Sequence, residues 1–168
     1  MTNKGNRGRR TLFHSFSDAF RGIWDCIKAE RNMRIHLSVA CFVLFFGFRM
    51  GLSRGELACL GVTAGAVMSA EAMNTAVEKL CDFAENRRNP HIRVIKDIAA
   101  GAVLLSALAA VAVGLFLFLR PPLWEAVLEL CRTPAALGLF LLFTVLDLVF
   151  IFVGPLRIAG WFTGKKKR

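Results

Sequence analysis

Residues 98–119 run for 22 positions without a charged side chain. As a helix this stretch is about 33 Å long, enough to cross the hydrocarbon core of a bilayer. Residues 135–155 repeat the pattern over 21 positions with one carboxylate, Asp147. Residues 57–80 form a third apolar stretch of 24 positions, interrupted by Glu71, Asn74, Glu78 and Lys79. Residues 37–52 are shorter and carry Arg49, so the helix there is expected to begin near residue 33. The expectation is an all-α polytopic membrane protein with spans at about 33–52, 57–80, 98–119 and 135–155.

Ahead of the spans, Phe13, Phe16, Phe20, Ile23, Trp24 and Ile27 recur at helical spacing. Asp18, Arg21, Asp25, Lys28 and Glu30 lie between them. Residues 13–32 therefore read as an amphipathic surface helix, suited to the membrane interface. A polar, basic arm at 1–10 precedes it. Residues 120–168 hold Pro121, Pro122, an amphipathic stretch with Trp124, the fourth span and a basic tail. No internal repeat is visible.

The chain combines a net charge of +10 with 55% hydrophobic residues, and its mean hydropathy is +0.51. Disorder requires low hydrophobicity, which excludes that class. Eight basic residues lie in 1–34 and two at the first turn (Arg49, Arg54); five lie at 79–96, two at 120–132 and five at 157–168, accounting for all 22. This alternation satisfies the positive-inside rule with both termini cytoplasmic. The excess charge then points to anionic lipid headgroups and phosphates, and nucleic acid loses its case. The five cysteines lie at least fifteen positions apart, and the three histidines form no metalloprotease motif. Neither a zinc site nor a disulfide framework is supported.

The second span carries the chemistry. Glu71, Asn74, Glu78 and Asp82 fall at about 0°, 300°, 340° and 20° around a helix, inside one narrow stripe. Ionisable groups at membrane depth are costly and normally face a protein interior or a watery cavity. Bound cations or raised pKa values relieve the repulsion within such a stripe most simply. Oxygen ligands suit magnesium, which commonly takes one or two carboxylates plus a nucleotide's phosphates. Lys96 and Asp97 lie at the same end, where a lysine can meet phosphate as a point charge. Glu30, closing the surface helix, is placed to complete a magnesium site.

No soluble nucleotide motif is present. G-x-G-x-x-G is absent, and residues 160–165 (GWFTGK) lack the spacing and the hydroxyl of a P-loop. An ATP site would have to be built from side chains on helices. Residues 61–65 (GVTAG) form a G-x-x-x-G that permits close helix approach.

The blocks E-A-M-N-T-A-V-E-K-L-C-D (71–82) and K-D-I-A-A-G-A-V-L (96–104) together resemble the bacterial diacylglycerol kinase and undecaprenol kinase family. The block A-E-R-N-M-R-I-H (29–36) looks more like the undecaprenol kinase branch. The resemblance covers about residues 16–119, so 11–119 is expected to form a lipid kinase core. It implies a surface helix and three spans, assembled as a homotrimer with composite sites. It also implies magnesium-dependent phosphorylation of a lipid hydroxyl by ATP at the cytoplasmic face of a bacterial inner membrane. Glu71 matches the family's proposed general base, and Glu30 and Glu78 match the carboxylates that hold magnesium on ATP. Lys96 and Asp97 match nucleotide contacts; Asn74 and Asp82 match polar residues that support the site.

Two departures stand out. The family often has a histidine at the position of Asn89, whereas here the histidine is His91; Arg87 and Arg88 are candidates to supply phosphate charge instead. The family usually ends after its third span and gives no role for 120–168. Asp147 in the fourth span is expected to be structural. The competing readings are diacylglycerol as acceptor, a cation-conducting helical oligomer lined by the stripe, and a membrane scaffold with a polar packing seam.

Overall fold

The computed structural model describes residues 12–84 and 89–158. The arm at 1–10, Arg87, Arg88 and the basic tail lie outside these residues. Six helices follow in order: α1 (Leu12–Ala29), α2 (Arg31–Arg49), α3 (Arg54–Ala84), α4 (Pro90–Phe118), α5 (Pro121–Arg132) and α6 (Pro134–Val153). There is no strand among the described residues.

Local chemistry sets the boundaries. Glu30 separates α1 from α2 with extended torsions, φ −104° and ψ 124°. Gly51, with φ +68°, turns the chain beyond α2 in a conformation that favours glycine. Ser53 and Glu56 then form a reciprocal capping box: the Ser53 N–H donates to Glu56 Oε2 (2.8 Å) and the Glu56 N–H donates to Ser53 Oγ (3.3 Å). Asn89 caps α4 by accepting from the His91 N–H at 2.9 Å, with Pro90 next in line.

Two helices extend further than the apolar runs indicate. α3 continues to Ala84 and so carries Asp82, and α4 starts at Pro90, which puts Lys96 and Asp97 inside that helix rather than at its opening. The reason is that the cap residues, not the first apolar residue, mark where backbone N–H groups find partners.

α3 packs against α4 and α2, α2 also packs against α6, and α5 against α6. The tight approach falls at Gly47, where an added Cβ would lie 3.2–3.3 Å from Leu52, Leu57 and Leu60. Gly61 and Gly65, the pair expected to allow close approach, face open space within the chain.

α3, α4 and α6 are long and apolar enough to cross a membrane. α2, expected as the first span, is not among them, because Arg31, Arg34, His36 and Arg49 dilute its nineteen residues. Two of those charges are met within the chain: buried Arg34 by backbone carbonyls, and exposed Arg49 by Glu129 at 2.8 Å. The apolar face of α1 (Phe13, Phe16, Phe20, Ile23, Trp24) is exposed, as an interfacial helix requires. No residue of α4 is buried in the single chain.

The C-terminal extension is docked rather than trailing. Asp147 on α6 accepts from Ser38 Oγ on α2 at 2.7 Å. Phe140 sits among Phe42, Phe45 and Phe46, with ring centroids 5.7–5.8 Å apart. These rings lie within the range where aromatic pairs attract beyond simple burial.

Candidate active site

The polar stripe on α3 runs from interior to surface. Glu71 is 2% exposed and Asn74 8% exposed, while Glu78 is half-buried and Asp82 exposed. Burial of Glu71 follows from α1 and α2 closing over this face. Thr75 Oγ1 donates to the Glu71 carbonyl at 3.0 Å and accepts from Cys26 Sγ at 3.4 Å, tying α1 to the turn of α3 that carries Glu71.

Two further carboxylates bear electrostatically on Glu71. Glu30, in the break between α1 and α2, and Glu78, two turns along α3, both lie close enough to Glu71 to repel it. The Asn32 amide on α2 acts in the opposite sense, favouring the charged form of Glu71. Asn74 Nδ2 donates to Glu78 Oε1 at 3.0 Å, which fixes that carboxylate. The other end of the same amide, Asn74 Oδ1, is buried without a partner. A buried carbonyl oxygen left unpaired costs free energy unless something arrives to use it.

Lys96 reaches from α4 to Asp82, with Nζ 2.5 Å from Oδ1. This bridge closes the surface end of the stripe and joins two residues that were expected to act separately. Asp97 is apart: it is exposed and faces Arg93 at 3.8 Å, one turn back along α4. The structure thus brings Glu30, Glu71, Asn74 and Glu78 together, adds Asp82 and Lys96 as a pair, and leaves Asp97 at the margin.

Among the described residues, no group of three or more His, Cys, Asp or Glu is arranged to hold a metal ion unaided. The donor set still fits magnesium bound together with phosphates, which needs one or two carboxylates from the protein. The carboxylates of Glu30 and Glu78, and the unpaired oxygen of the Asn74 amide that holds Glu78, are hard oxygen donors of that kind.

Sequence reasoning missed Asn32, Thr75 and Arg34. Asn32 and Arg34 lie in the same block as Glu30, but no spacing rule links Asn32 to α3 or Arg34 to the ends of α1 and α6. Thr75 adjoins Asn74, yet its role runs through a backbone carbonyl that has no sequence signature.

The family profile for prokaryotic diacylglycerol kinase matches residues 17–118. The chain belongs to that family. An undecaprenol kinase of Bacillus subtilis (strain 168) is 38% identical over 120 residues, covering 71% of this chain and 98% of that protein. A diacylglycerol kinase of Synechocystis sp. (strain ATCC 27184 / PCC 6803 / Kazusa) is 38% identical over 111 residues, covering 66% of this chain and 63% of that protein. No solved structure matches the chain. As a member of the prokaryotic diacylglycerol kinase family, the chain is a membrane-integral lipid kinase. All the stripe residues and Glu30 fall within the matched segment, whereas α5 and α6 fall outside it.

Proposed function

We propose that the chain transfers the γ-phosphoryl group of ATP, with magnesium, to the hydroxyl of undecaprenol at the cytoplasmic surface of a bacterial inner membrane. The observation that carries this reading is the buried Glu71 carboxylate on the polar stripe of α3, within electrostatic reach of Glu30 and Glu78. Phosphoryl transfer asks a protein for positioning, charge neutralisation and a way to remove the hydroxyl proton. Glu71, deepest in the stripe, accepts the proton of the lipid alcohol as general base. Glu30 and Glu78 would hold magnesium, which when bound offsets the charge of the phosphate oxygens. Asn74 orients Glu78. Asp82 holds Lys96 towards the phosphates, and Asp97 contacts the nucleotide from the rim.

Undecaprenol is favoured over diacylglycerol on two grounds. The block at 29–36 resembles the undecaprenol kinase branch, and the chain spans nearly the whole of the Bacillus undecaprenol kinase. The working organisation is an arm at 1–10, a kinase core at 11–119 and an extension at 120–168. α2 serves as the first of four spans, and both termini are cytoplasmic. Basic residues on that side meet anionic headgroups. The uncovered apolar face of α4 supports assembly as a homotrimer with sites shared between protomers.

The test is purified protein in lipid nanodiscs with labelled ATP and magnesium, offered undecaprenol and diacylglycerol separately. Transfer to undecaprenol is expected to be the faster and to stop on chelation. Absence of transfer to either lipid by folded protein overturns the reading.

A further inference from the structure

Arg34 is buried, 7% exposed, and its guanidinium holds three backbone carbonyls on two helices. Nη1 donates to the Ile27 oxygen at 3.0 Å and to the Lys28 oxygen at 3.2 Å, both in the last turn of α1. Nε donates to the Ile151 oxygen at 3.1 Å, in the last turn of α6. Carbonyls in a last helical turn lack intrahelical partners and carry the negative end of the helix dipole. One cation therefore serves two helix C-termini. Arg34 itself stands in the first turn of α2, so its backbone and its guanidinium bracket the break that contains Glu30. Gly154, just beyond α6, lies flat against the same guanidinium: a Cβ there would sit 3.4 Å from Arg34 Cζ. Its torsions, φ +78° and ψ 154°, belong to a region that only glycine adopts readily.

We propose that α6, through Arg34, positions Glu30 for metal binding, making the C-terminal extension a working part of the kinase site. This rests on the reading of Glu30 as a magnesium ligand. A guanidinium buried this far loses free energy when a bonded donor is left without its partner. If the α6 end withdraws, Arg34 has to turn away from its two carbonyls on α1, and the elbow at Glu30 loosens. Arg34 is a positioning residue, since it acts through Glu30. Ser38–Asp147 ties the same two helices together without touching the elbow, and so provides an internal control.

The experiment compares Gly154→Val, Arg34→Lys and Ser38→Ala in the full-length chain in nanodiscs. Valine at 154 strains the turn and presses on the guanidinium from outside the kinase core. Lysine keeps the charge but not the planar fork. Two quantities are read: amide hydrogen exchange across residues 27–32, and the magnesium concentration giving half-maximal lipid phosphorylation. Gly154→Val and Arg34→Lys are expected to speed exchange at 27–32 and to raise the half-saturating magnesium concentration about tenfold. The rate at saturating magnesium should stay within about twofold, because Glu71 is not displaced. Ser38→Ala should move neither quantity. Unchanged exchange at 27–32 in both variants refutes the latch. Faster exchange with an unaltered magnesium requirement refutes the positioning role. If the wild type transfers no phosphate to any lipid, the kinase reading falls, and the exchange data still decide whether α6 holds the elbow.

Discussion

Replacing Asn74 with leucine should move stability and activity in opposite directions. Leucine is close to asparagine in size, so no cavity is expected. Two effects follow from the two ends of the amide. Loss of Nδ2 removes the 3.0 Å bond to Glu78, a hydrogen bond to a charged group worth about 1.5–3 kcal/mol. Glu78 is half-buried, so water replaces the lost donor in the resting protein at small cost. Loss of Oδ1 removes a buried acceptor that has no partner, whose burial costs about 1–3 kcal/mol. The resting protein therefore keeps its stability or gains up to about 1 kcal/mol. The transition state loses an oriented carboxylate, and about 1.5–3 kcal/mol there is a fall of roughly 10- to 150-fold in kcat/KM. Thermal unfolding in a defined detergent and initial rates over a range of lipid concentrations measure the two arms. A parallel fall in both, with Tm lowered by several degrees, would show that Asn74 is packing glue and refute the argument. Full activity would refute it equally.

Other outcomes are expected from the same geometry. Glu71→Gln should lower kcat by about 10²–10⁴-fold while ATP binding is retained, as binding and turnover measured on one preparation would show. Lys96→Met and Asp82→Asn should each leave the unfolding midpoint nearly unchanged, because the pair is largely solvated. Both should raise the KM for ATP, and the double variant should be no worse than Lys96→Met alone. Asp147→Leu should destabilise by about 1 kcal/mol through the lost Ser38 bond, read from unfolding midpoints in detergent.

Much of the fold is legible because its signals are local. Uncharged length marks α4 and α6, and the 3.6-residue period of aromatics marks α1. Where boundaries shifted, the deciding residues were polar: Asn89 starts α4 well before its apolar run, and Glu30 breaks the chain without any glycine or proline. The stripe was legible for a similar reason, since four residues on one helix share a face by arithmetic alone. What one sequence could not supply was the second helix in each contact. Lys96 meets Asp82, and Arg34 meets Ile151, across separations of 14 and 117 residues that no periodicity encodes. Backbone acceptors deepen the difficulty, because every residue carries one and none is marked.

On the proposed reading, the distribution of charge is what allows a nucleotide site to be raised on helices alone. A glycine-rich loop cradles phosphate with backbone N–H groups, but in α3 those groups are committed to the helix. Side chains must do the work, and they must be carboxylates if a metal is to bridge to phosphate. Carboxylates at this depth repel one another, so the stripe is stable only if its members are separated by environment. The fold separates them: Glu71 is enclosed beneath α1 and α2, Glu78 is held by an amide, and Asp82 is paired with Lys96 at the surface. Glu30 alone comes from outside α3, on a non-helical residue whose torsions no helix enforces. That makes it the member most in need of bracing, and it is the one beside which Arg34 gathers the ends of α1 and α6.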